Sequence, residues 1–167
     1  MSDELEQWIK KVNEKKDFAF DLSRDEDMSI AIMNLISLEE HFFFTAVKTQ
    51  NQKYLDMLLS VREMRKELLA KIVKDPVGEE WCISKHLLAG SMRLFEVGTK
   101  ELARGNKEEA NLYFQKSFNL YSMFFAINLK MVKHEDLEKN EAFRKEEKKM
   151  GRFSEIMKKI IDCCKEW

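Results

Sequence analysis

EEWCISKHLLAGSMRLFEVGTKELARGNKEEANLYFQKSFNLYSMFFAINLKMV, residues Glu79–Val132, holds two long apolar-faced runs joined by Ala103-Arg104-Gly105-Asn106. Gly105 suits the left-handed turn that ends a helix, and Asn106 with Glu109 three residues on has the pattern of a capping box that starts the next. The stretch therefore reads as an antiparallel helical hairpin. Upstream, residues from about Met28 to Lys74 repeat the arrangement around Thr49-Gln50-Asn51. Ser23 with Glu26 is a second capping-box pattern, which opens helix one and carries it to about Lys48. Helix two follows from about Gln52 to Lys74 and stops before Asp75-Pro76-Val77-Gly78, because proline lacks an amide and restricts the residue before it. Helix three begins near Glu79, and helix four runs to about Val132.

The expected fold is all-α, an up-and-down four-helix bundle of two helical hairpins, with extra short helices at both termini. Ser2 caps the first of these, in which Leu5, Trp8, Ile9 and Val12 share one side. The other follows a charged segment that begins near His134, where Phe153, Ile156, Met157, Ile160, Ile161, Cys164 and Trp167 recur at helical spacing. At 167 residues the chain suits one domain, with its core bundle over about residues 24–132 and the charged segment and amphipathic helix over about 134–167. One Pro and five Gly leave little material for turns, which favours few, long helices.

A formal net charge of −1 gives no field to attract nucleic acid over the whole surface, so no nucleic-acid partner is expected. Three cysteines, two of them adjacent (Cys163 and Cys164), make a poor disulfide framework and favour a reducing compartment. The acidic first residues lack the pattern of a secretory signal, and no uncharged apolar stretch approaches the ~20 residues that cross a bilayer. A cytoplasmic location without membrane contact is the expectation.

In helix three and helix four, Leu94, Val97, Gly98, Gly105, Ala110, Phe114 and Gln115-Lys116-Ser117 fall in a spacing that resembles a tetratricopeptide repeat over about residues 91–124. The resemblance implies close helix approach at Gly98 and Ala110, with Phe114 filling the space beside them, and it points towards protein binding. Ser122 stands where the repeat has its terminating proline. The four-helix pattern also broadly resembles helical nucleases of the HEPN type, which carry an Arg followed by His within one or two turns. No such pair stands at Arg62, Arg65 or Arg93, so that activity is not expected.

Polar residues that intrude on apolar faces mark the candidate site. On helix one, Met28, Ile32, Leu35, Phe43 and Ala46 set the core direction, with Glu39 in their midst and Glu40 nearer the edge; on helix two, Arg65 lies near the centre of Tyr54, Leu58, Leu69 and Ile72, and Arg62 within the arc. Glu39 lies about eleven residues before the turn and Arg62 about twelve after it, which predicts an ion pair at one height. Tyr121, counted from the other turn, falls near the level of Arg65. Glu39, Arg62, Arg65 and Tyr121 are thus either a register-fixing network inside the bundle or a pocket for an anionic ligand.

No catalytic signature accompanies them: there is no Gly-rich phosphate loop, no nucleophile elbow and no paired Glu-x-x-His for a di-iron centre. Cys82 and His86, four apart on helix three, have a spacing that can share a metal, but structural zinc needs four ligands and only these two are positioned. On helix three the core-facing arc is Ile83, Leu87, Leu94 and Phe95; Cys82, Arg93 and Glu96 lie away from it and His86 at its boundary, so they read as ordinary edge positions. The expectation is a non-enzymatic interaction or scaffold module with a protein partner or a second copy and no cofactor. Its rival is an anionic-ligand binder, or an enzyme of unrecognised type, using the inward polar residues.

Overall fold

Apolar residues at three- and four-residue steps, with few helix breakers between them, leave this chain one economical way to hide its side chains: long helices laid side by side. The structure, a computed structural model, describes residues 22–130. Among these residues every regular element is helical: α1 (Ser23–Thr49), α2 (Lys53–Ile72), α3 (Glu80–Ala103) and α4 (Lys107–Asn128). The expected N- and C-terminal helices lie outside the described residues. α1 pairs with α2 and α3 with α4 along most of their lengths, and the two hairpins meet mainly through α1 and α3.

Both tight turns use left-handed backbone. Gly105 has φ 84°, as its lack of a Cβ allows, and Gln50 takes the same region at φ 52°. Neither expected capping box forms. Helix α1 starts at Ser23 itself, with Leu22 in the cap position and no side-chain cap, and the Asn106 amide turns back to donate to Glu101 at 2.7 Å. Glu101 also takes Arg104 at 2.6 Å, so the second turn is held from the helix it leaves rather than the one it enters. α2 ends at Ile72, two residues before the expected Lys74, and α4 ends at Asn128, short of Val132, with Lys130 left-handed at φ 55°. Glu80 accepts from the Val77 amide at 3.0 Å and from Lys130 at 2.7 Å, which ties the Pro76 loop, the start of α3 and the end of α4 together.

The core sits at the end of the molecule away from the two turns. Ile32, Leu69, Leu88 and Phe124 are fully buried there, with Phe124 and Phe125 edge to face at 5.1 Å. Polar rungs cross the same region. Ser117 donates to the Ser91 carbonyl at 2.7 Å, and Asn128 donates to Ser84 at 3.1 Å. Ser29 donates to the Glu26 carbonyl at 2.6 Å, so in its 2.7 Å contact with the Tyr121 hydroxyl the tyrosine is the donor. Between the turns the picture reverses. Phe43 and Phe95, which the helical wheel assigns to the core, are both 49% exposed. Each lies on a stripe that is buried further down its helix, at Ile32 and at Leu88. The hairpins therefore diverge towards their turns.

Within the second hairpin the close approach expected of Gly98 is present: a Cβ there would stand 2.7 Å from Phe114 Cε1 and 3.3 Å from the Ala110 carbonyl. By length and composition alone α1 is long and apolar enough to cross a membrane, but Glu39 and Glu40 interrupt its apolar run, so it is not an uncharged stretch of that length. That helix also carries Glu39, which is ion-paired to α2.

Candidate functional site

Where the hairpins part, α1, α2 and α3 enclose an open cleft of about 770 Å³. Ile36, Phe43, Leu58 and Ala89 give it apolar wall; Glu39, Glu40, Arg62, Arg65, Lys85, His86 and Arg93 give it charge and hydrogen-bonding groups. On α3 the small residues Ala89 and Gly90 stand between the Lys85-His86 pair and Arg93, so the middle of that wall is low and its ends carry long basic side chains.

Glu39 is the anchor. Its side chain is 10% exposed and that of Arg65 only 6%, a burial that demands pairing. Arg65 Nε donates to Oε1 at 2.8 Å and its NH2 to Oε2 at 3.3 Å, a bidentate clasp, while Arg62 Nε donates to Oε2 at 2.9 Å. The pair between Glu39 and Arg62 expected from turn counting thus forms, and Arg65 joins it. Burial pushes the Glu39 carboxyl up, but the hydrogen bonds and charges of Arg65 and Arg62 outweigh it and hold the group below its ordinary value.

Arg62 differs from Arg65 in being half exposed, and its two terminal nitrogens have no acceptor among the described residues. Arg93 crosses from α3 to α1, donating to the Glu40 carboxylate and to Ser37 at 3.2 Å. Lys85 and His86 line the same cleft, and their side chains make no hydrogen bond among the described residues. Arg62, Arg65, Lys85 and Arg93 therefore surround two carboxylates, and Arg62, Lys85 and His86 keep side-chain donors without a partner among the described residues.

Tyr121 is not part of this wall. It stands against α1 at Ser29, with its ring edge-on to Phe125 at 5.2 Å, and belongs to the closed end. Equal residue counts from two turns give equal heights only when the hairpin axes are parallel, and these diverge. Arg93, read from the sequence as an edge position, reaches the cleft because its guanidinium sits at the end of a long stem. Lys85, His86, Ala89, Gly90 and Arg93 share one face at four-residue steps, and that repeat of basic, small, basic was the available signal. Cys82 is exposed with a free thiol, Cys163 and Cys164 lie outside the described residues, and no group of three or more potential ligands clusters for a metal among the described residues. No protein family, curated protein or solved structure matches the chain.

Proposed function

We propose that this is a non-catalytic binding protein whose interhelical cleft takes a small acidic molecule, one carrying carboxylate or phosphate beside an apolar portion. Arg62, Lys85 and His86, with donors unused around a partly apolar cleft, support this reading most directly. In it, Glu39 holds Arg65 and Arg62 in place, Arg62 and Lys85 meet the anion, and Arg93 exchanges Glu40 for the ligand. The four helices then act as an up-and-down four-helix bundle opened at its turn end. A second reading, an interaction module of tetratricopeptide-like character, is favoured by the exposed apolar residues of the first hairpin, such as Met64 at 52% exposure.

Thermal unfolding across pyrophosphate, citrate and an aliphatic phosphate ester, each matched in ionic strength with chloride, tests the ligand class. A ligand at ten times its dissociation constant adds about 1.4 kcal/mol, which raises Tm by roughly 3 to 6 °C in a domain of this size. The shift should vanish in Arg62→Gln and in Lys85→Gln. Equal shifts in wild type and both variants would count against the cleft as the site.

A further inference from the structure

Beside the cleft, about a quarter-turn round α2 from its lining residues, the first hairpin carries an apolar groove. On α2, Tyr54, Met57, Val61, Met64 and Leu68 follow alternating three- and four-residue steps and so form one stripe; at ~100° per residue it lies to the side of the cleft-facing Leu58, Arg62 and Arg65. Met57 is 38% and Met64 52% exposed. Phe42 of α1 edges the groove, its ring 6.4 Å from that of Tyr54, and Leu38 continues it at 37% exposure.

We propose that this groove seats residues Phe153–Trp167 of the same chain. That segment repeats Phe153, Ile156, Met157, Ile160 and Ile161 at helical spacing, and as a helix its 15 residues would span about 22 Å, enough to run from Tyr54 past Met64 to Leu68, which packs against the core and closes that end of the stripe. The tether reaches. Lys130, where the described chain stops, is bonded to Glu80 at the end of the molecule that also holds Ile72, one turn beyond Leu68. The intervening residues 131–152 can span up to about 70 Å when extended, several times the stripe's length. A tether of that kind gives an effective concentration near the millimolar range, so docking in cis outcompetes a second copy at ordinary protein concentrations. The N-terminal residues Leu5, Trp8, Ile9 and Val12 cover only two turns, about half of the stripe.

Limited trypsin digestion of the full chain, followed by intact mass, tests this at Lys158, Lys159 and Lys165. Seating protects these sites. Met57→Asp/Met64→Asp should therefore release them and speed cleavage there about tenfold, with Glu108→Gln, exposed on the second hairpin, cleaved at the wild-type rate. Methyl NOEs in the wild-type chain should join Met57 and Met64 to Ile156 and Ile160 at a monomeric mass. Unchanged cleavage in the groove variant overturns the proposal, as do NOEs from Met64 to Leu5 or Trp8, or NOEs that appear only at a dimeric mass.

Discussion

Glu39→Leu is expected to lower the unfolding free energy in urea by about 3 to 5 kcal/mol, the loss typical when one member of a buried ion pair is removed and the other stays charged. Arg65 cannot neutralise itself, and at 6% side-chain exposure its guanidinium has little water to turn to. Glu39→Leu combined with Arg65→Met should recover most of that loss, because apolar side chains of similar volume replace a pair whose net contribution is small. A loss below about 1 kcal/mol in the single variant would mean that water reaches Arg65 freely. The same carboxylate sets an acid limit. Its folded pKa lies below the ordinary value of 4.5, so its contribution is complete above that value and is lost as pH falls through the folded one. Wild-type stability should therefore drop below about pH 4.5 through a component that Glu39→Leu lacks.

Gly98→Val is expected to cost about 1 to 3 kcal/mol by the same measurement, through overpacking. Its Cβ alone would stand 2.7 and 2.8 Å from two atoms of the Phe114 ring, and the Ala110 carbonyl at 3.3 Å is backbone that cannot swing away. Phe114 in turn lies against Phe95, ring centroids 6.0 Å apart, so moving it disturbs a second aromatic. Gly90→Ala is the control. Its added Cβ meets only the Leu120 Cδ1 methyl at 3.0 Å, which a small rotamer shift relieves, and alanine gains about 1 kcal/mol of helix propensity.

Residues whose role follows from one helix and its own turn were legible in the sequence. Glu39, Arg62 and Arg65 belong to one hairpin, and the turn at Gln50 fixes their heights; Gly98 against Phe114 is likewise local to the other. What the sequence hid depends on how the hairpins sit against each other. A wheel drawn from buried residues assumes helices that stay in contact along their length. It placed Phe43 and Phe95 inside and Arg93 at an edge, whereas divergence exposes the first two and brings the third across to Glu40. Tyr121 was displaced for the same reason. The capping boxes failed differently, since Asn106 had a competing acceptor in Glu101 that spacing rules do not weigh.

The central claim, an anion-accepting cleft built on the Glu39 clasp, is tested most directly by following the arginine Nε–Hε resonances of the full chain during pyrophosphate titration at constant ionic strength. Arg62 and Arg93 should shift saturably and together, while Arg104, exposed at the turn between α3 and α4, outside the cleft lining and paired with Glu101, should stay in place. A drift of all three in proportion, without saturation, would contradict it.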